Sequence, residues 1–177
     1  MGSKGTTGLE RLAPRAPLDA SNPLRLQPLP KALEAKWRHR MDQFLGKFSG
    51  FFYAAFRIVS GLLFAQHGAQ KLFGWLGGMG EAGGTAPFLS MMFFAGFIEF
   101  FGGLLIAVGF KASWAAFIAS GQMAVAYFMV HAPRALFPIQ NGGELAVVYC
   151  FAFLYIASRG AGTLSVDSLF GKPKRAD

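Results

Sequence analysis

Four apolar runs, each close to the length that crosses a bilayer, constrain this chain more than anything else in it. They cover approximately residues 51–73, 88–110, 112–130 and 142–158, the last of them short. A helix of about 20 residues spans the roughly 30 Å hydrocarbon layer. The pattern therefore predicts an all-α protein, a bundle of four transmembrane helices joined by short loops. With 53% hydrophobic against 15% charged residues, and 20 Phe against 4 Tyr, the 177-residue chain is more apolar than a soluble domain of its size. Its single cysteine, Cys150, sits inside an apolar run. That excludes a disulfide framework, a CxxC redox pair and a thiolate metal cluster, and no metal site is expected.

The net charge of +8 does not form a nucleic-acid-binding face, because most basic residues lie before Phe48 or after Gly171. Flanking positions of that kind suit anionic lipid headgroups, so the bilayer is the expected partner and nucleic acid is not. Lys31, Lys36, Arg38, Arg40 and Lys47 precede the first run, Lys111 lies in the second connection, and Arg159, Lys172, Lys174 and Arg175 follow the last run. The first connection holds Glu81 and no Lys or Arg, and the third holds Arg134 alone. Basic residues mark cytoplasmic loops. A multi-pass protein of a bacterial cytoplasmic membrane, with both termini in the cytoplasm, is expected.

Four regions follow. Residues 1–30, with Pro14, Pro17, Pro23, Pro28 and Pro30 scattered among Arg and Ala, read as a disordered basic tail. In residues 31–48, Leu33, Trp37, Met41, Phe44, Leu45 and Phe48 recur at helical spacing among basic residues. This reads as an interfacial amphipathic helix, or equally as a cytoplasmic extension of the first span. Residues 49–170 form the membrane domain, and 171–177 a basic C-terminal tail. The opening Met1-Gly2-Ser3-Lys4-Gly5-Thr6 fits a myristoylation pattern loosely. Gly78, Gly80 and Gly83 make a formal GxGxxG, but that fingerprint needs a strand before it and a helix after it. Here it lies in a connection, where glycines let the chain fold back over the mouth of the bundle.

Charge inside a span is costly, at least roughly 2.5–3.5 kcal/mol for a carboxylate or guanidinium at the centre of the bilayer, so such residues pair within a bundle and mark a pathway or site. Glu99 sits near the middle of the second run, and Arg57, His67 and Lys71 lie in the first. At helical spacing Arg57, Gly61, Phe64, Gly68 and Lys71 share one face, bordered by His67. On the third run Ser113, Phe117, Ser120, Ala124, Tyr127 and His131 recur at spacings of four and three. Ala112, Ala116, Ser120 and Ala124 form a small-residue row, as do Gly96 and Gly103 on the second run, which lets membrane helices approach closely. A rise of about 1.5 Å per residue puts Glu99 near the midplane and His67 roughly 10 Å below the outer surface. His67, Lys71, Glu99, Tyr127, His131, Asn141 and Glu144 are thus expected to gather in the outer half of the bundle, with Arg57 nearer the cytoplasm.

Each of these residues also has a purely structural reading. Lys71 can snorkel to the headgroups. Asn141 can N-cap the fourth helix, with Glu144 three residues on completing a capping box. Tyr127 can belong to an aromatic belt with His131 in interfacial water. His67 can bond a backbone carbonyl, and Arg57 can pair with Glu99.

Together the motifs Arg57-x3-Gly61-x5-His67-Gly68-x2-Lys71-Leu72-Phe73-Gly74, Glu99-x2-Gly102-Gly103, Gly109, His131, Asn141-x2-Glu144-Leu145 and Gly160-x-Gly162-x2-Ser165-x-Asp167 resemble the DoxX family of small four-helix membrane proteins. The resemblance runs from about residue 51 to about 170. It implies a link to quinone chemistry, since relatives include the membrane subunit of a thiosulfate:quinone oxidoreductase and others tied to oxidative stress.

A quinone needs an apolar slot and a proton-exchanging donor at each carbonyl. His67, Glu99, Tyr127 and His131 are the candidate catalytic groups, and Arg57, His67, Lys71, Asn141 and Glu144 the candidate cofactor-binding groups, with Lys71 stabilising a reduced oxyanion. The expected function is a quinone-linked oxidoreductase component fed with electrons by a partner membrane or soluble redox subunit. The alternative is a non-catalytic accessory subunit of a larger membrane complex. A small-anion or lipid-headgroup site on Arg57, His67 and Lys71 is a third possibility. Haem between His67 and His131 is geometrically conceivable, but two histidines on four helices are a weak signal for it.

Overall fold

The computed structural model describes residues 40–80 and 83–171. The tail 1–30, most of the expected helix 31–48 and the C-terminal residues 172–177 lie outside the described residues. The chain divides into two compact units, Met1–Asp42 and Gln43–Asp177. In the first, residues 40–42 are helical and exposed; in the second, residues 43–47 are helical up to a break at Phe48 (φ −101°, ψ 5°).

The described residues are helical, with one isolated antiparallel bridge between Met79 and Gly84 and no strand. We label the helices α1 (Ser49–Phe73), α2 (Met91–Val108), α3 (Ala112–His131), α4 (Pro138–Asn141), α5 (Glu144–Arg159) and α6 (Val166–Phe170). The four apolar runs correspond to α1, α2, α3 and α5. Two of them, α2 and α3, are long and apolar enough to cross a membrane, and a third is counted if α1 is continued through Phe48 into the helical residues before it. Arg57, Gln66, His67, Gln70 and Lys71 lower the apolarity of α1, and the 16 residues of α5 reach only about 24 Å.

Local chemistry places the ends. The side chain of Ser90 accepts the N–H of Phe93 at 3.1 Å and caps α2, so Phe88 and Leu89, read as part of the span, belong to the connection. At the other end of α2, Gly109 takes φ 70° and sends the chain into α3. Gly142 (φ 68°) and Gly143 delay α5 to Glu144. Asn141 consequently does not cap α5 as expected. It closes α4, its side-chain oxygen accepting the N–H of Gly143 at 2.8 Å and its amide donating to the Ala135 carbonyl at 2.9 Å.

Two tight helix pairs make up the body. In the first, α1 lies against α2 with almost no side chain between them. A methyl group added at Gly61 would lie 2.6 Å from Ala107 N and from Gly103 O, and one at Gly68 would overlap the backbone of Phe100 and lie 2.6 Å from Gly96 O. In the second, the small row Ala112, Ala115, Ala116, Ala119 and Ser120 of α3 lets α5 approach, and Ser120 Oγ donates to the Cys150 carbonyl at 2.8 Å. The expected single stripe on the third helix is not one face. Phe117 is exposed on the outside, whereas Ser120 is buried against α5, its hydroxyl satisfied by a carbonyl of the neighbouring helix. Phe64, Tyr149 and Phe153 join the two pairs, with ring centroids 4.7 Å apart for Phe64–Phe153 and 5.2 Å for the stacked Tyr149–Phe153.

The end of the body around Arg57 is closed. Arg57 is fully buried and donates through Nη1 to the carbonyls of Ile106 (2.5 Å) and Ala107 (2.6 Å) and through Nη2 to Leu164 (2.8 Å). It thereby satisfies the Ala107 carbonyl at the end of α2 and shares that of Ile106 with the Gly109 N–H. Tyr53 donates to Gly160 at 2.5 Å, Asp167 N–H donates to Gly109 O at 3.0 Å, and the Asp167 carboxylate accepts the Lys111 N–H at 3.1 Å. The Gly160-to-Asp167 motif is therefore a strap that ties the chain after α5 to the α2–α3 turn.

Candidate functional site

A cavity of about 550 Å³ lies in the opposite half of the body, its wall reaching His131 and Gly142 at the loop end. Most of its wall is apolar, contributed by α2, α3 and α5. One side is polar, and chain geometry explains how it forms. Glu99 lies nine residues before the end of α2 and Gln122 ten residues after the start of α3, so both sit about 14–15 Å from the Arg57 end. His67 lies six residues before the end of α1 and Tyr149 five after the start of α5, which levels them about 8–9 Å from the loop end.

The Lys71 ammonium forms a salt bridge with Glu99 Oε2, and Gln122 Nε2 donates to Glu99 Oε1 at 3.1 Å. The carboxylate is 3% exposed, against 18% for the Lys71 side chain. Since the ionised carboxylate must face the amide nitrogen, Gln122 is held with its carbonyl oxygen turned away; that oxygen is buried and makes no hydrogen bond among the described residues. The ring of His67 stands edge-on to Tyr149, centroids 6.3 Å apart, and neither of its nitrogens is hydrogen-bonded among the described residues. Nearer the loops, His131 also lines the cavity, its Nδ1 3.1 Å from the Asn141 carbonyl and its ring stacked on Tyr127 at 6.4 Å.

Both Glu99 and the Tyr127–His131 segment lie where the helix widens. Ile98–Gly102 and Tyr127–His131 are π-helical turns, the second visible in the Ala132 N–H bonding to Tyr127 O at 2.9 Å. A π-turn inserts a residue into the α-helical ladder and turns the neighbouring side chains, and such turns recur at functional sites.

The residues singled out in the sequence divide accordingly. His67, Lys71, Glu99 and His131 meet at one cavity. Tyr127 and Asn141 do not line it and reach it only by supporting His131. Glu144 is exposed in the first turn of α5, outside the cavity wall. Arg57 belongs to the closed end with the strap, so it neither pairs with Glu99 nor faces the cavity. Gln122 and Tyr149 escaped the sequence reading. Their signal was present in depth: an uncharged amide halfway along α3 matches the level of Glu99, and a tyrosine one turn into α5 matches that of His67.

No group of three or more His, Cys, Asp or Glu among the described residues is placed to hold a metal ion. The donors at the cavity are the Lys71 ammonium and the His67 ring, both able to bond acceptor atoms.

The family model described as DoxX matches residues 52–132. A protein of Haemophilus influenzae (strain ATCC 51907 / DSM 11121 / KW20 / Rd), described as an uncharacterized protein, is 39% identical over 135 residues, covering 72% of this chain and 97% of that relative. No solved structure matches the chain significantly.

Proposed function

This chain belongs to the DoxX family, and we propose that it is a membrane-embedded, quinone-binding component of an oxidoreductase. In this reading α1, α2, α3 and α5 all cross the bilayer. Lys47, Lys111 and Arg159 lie toward the Arg57 end and make it cytoplasmic, while Lys71 and Arg134 lie toward the loop end.

The observation that carries the reading is an apolar cavity with one polar side, built from Lys71, Glu99, Gln122 and His67. Its size falls within the range of small-molecule sites, roughly 300–1,000 Å³. The fit to a quinone head rests on the donor set. Lys71 has N–H groups beyond the one it gives Glu99, and His67 has an unbonded ring nitrogen, so two donors are available for carbonyl oxygens. Met91, Met92, Met123 and Met129 line the wall and supply soft, adaptable thioether contacts to a planar ring.

A bound quinone accepts two electrons and two protons on its carbonyl oxygens. Among the residues of this chain, His67 is the group placed to pass on both protons in turn, each taken up again from water before the next. Tyr149 packs against its ring and fixes its orientation. Glu99 holds the ammonium of Lys71 in place and, with Gln122, supports its charge next to the ligand oxygen. His131 lies between this cluster and the loop surface, where water renews the proton. Electrons are assigned to a partner redox subunit.

The test is extraction and mass spectrometry of quinone from protein purified in nanodiscs, together with titration of added quinone. Wild type is expected to retain and bind it, and His67→Ala and Lys71→Met to bind it at least tenfold more weakly. Quinone-free protein that binds none on titration would refute the reading and leave a non-catalytic accessory subunit of a larger membrane complex.

A further inference from the structure

We infer that the cavity takes its ligand sideways from the bilayer, with the head at Glu99 and an aliphatic tail lying between α2 and α3, so that the ligand class is a lipid-borne amphiphile. The inference rests on the reading of the cavity as a head-group site.

The seams between the helices are not equivalent. Backbone contact at Gly61 and Gly68 shuts α1 against α2. The Ala112-to-Ser120 row shuts α3 against α5, and the rings of Phe64 and Phe153 close the middle between α1 and α5. In contrast, α3 packs on the Ile98–Val108 part of α2 and parts from Met91–Phe97. The gap so formed leads into the cavity. Met91, Met92 and Phe94 on α2, and Val125 and Met129 on α3, belong to the cavity wall and are 60%, 37%, 53%, 54% and 57% exposed. Wall residues left this exposed on both helices, at the place where the helices part, form the rim of an opening.

That rim carries no charge and no hydrogen-bonding side chain, and it sits on helices apolar enough to cross a membrane. A water-soluble ligand gains nothing from passing it. A hydrocarbon tail exchanges one apolar surrounding for another while the head reaches the polar cluster, and methionines on both sides of the gap adapt to a flexible chain. The far end of the body is closed by fully buried Arg57, Ile106, Phe153 and Ile156, so the head stops at the level of Glu99.

The experiment uses the full chain in nanodiscs and three probes that share one benzoquinone head: without a tail, with a decyl tail, and with a decyl tail ending in a diazirine. Affinities are expressed per mole fraction in lipid. The decyl compound is expected to bind at least tenfold more tightly than the tailless one, and photolysis to place adducts on Met91, Met92, Val125 or Met129. Val125→Trp, which fills the gap, is expected to reduce the tail-dependent gain below threefold. If that variant does not fold, the adduct map on wild type decides. Equal affinity for tailed and tailless probes, or adducts spread over lipid-facing residues such as Trp114 and Phe151, overturns the lateral route and leaves the head site intact. Failure of all three probes to bind removes the head site, and the inference with it.

Discussion

The Lys71–Glu99 pair is asymmetric, and the two halves of it should cost different amounts to remove. Glu99 is 3% exposed at mid-helix, whereas Lys71 is 18% exposed and two residues from the end of α1. Lys71→Met strands the carboxylate with Gln122 Nε2, at 3.1 Å, as its remaining donor. Removing one member of a buried pair costs about 3–5 kcal/mol, because the other is left charged and uncompensated. Glu99→Gln leaves an ammonium that can snorkel toward the headgroups and an amide that still bonds Gln122, so a loss of about 1 kcal/mol is expected. In Lys71→Met/Glu99→Gln no charge remains, and the facing amides at positions 99 and 122 keep their hydrogen bond. The double variant should therefore be at least about 2 kcal/mol more stable than Lys71→Met alone. Reversible unfolding in mixed detergent micelles, with all four proteins in one double-mutant cycle, measures these differences. Two outcomes refute the argument: Glu99→Gln as destabilising as Lys71→Met, or a double variant no better than Lys71→Met.

Gly68→Ala puts a methyl into the backbone of Phe100 and should cost about 1–3 kcal/mol in the same unfolding assay, while Gly121→Ala, whose methyl meets open space, should change stability by less than about 0.5 kcal/mol. Arg57→Met removes the three bonds that hold Ile106, Ala107 and Leu164 together, and limited proteolysis should then cut the strap at residues 160–165 at least tenfold faster than in wild type.

What could be read from the residues alone is what obeys local rules. Apolar runs of spanning length predict helices, and the first of them ends where it was read to end, at Gly74 in a left-handed backbone conformation. Charge in an apolar run is expensive enough to single out Glu99, His67 and Lys71, whatever their partners. Capping at the start of the fourth helix was misread, because a consecutive Gly142-Gly143 lets the chain break twice and assigns Asn141 to the preceding turn. The stripe on the third helix failed for a different reason. A serine hydroxyl in a tight helix pair is as well satisfied as a methyl group, so polarity did not distinguish the face toward α5 from the face toward the cavity.

Sequence by itself determined the membrane class, the four helical rods, the family and the shortlist of titratable groups, since each follows from hydropathy, spacing or motif along one strand of chain. Tertiary structure decided which of those groups meet. Arg57 and Lys71 lie on the same stripe of α1, yet one is enclosed by carbonyls of α2 and the strap while the other reaches Glu99. That division depends on the vertical register of α1 against α2, set by glycine contacts on both helices, and on the two π-turns that rotate Glu99 and His131 inward. The gap between α2 and α3 likewise belongs to no single segment, because it is the place where two helices diverge.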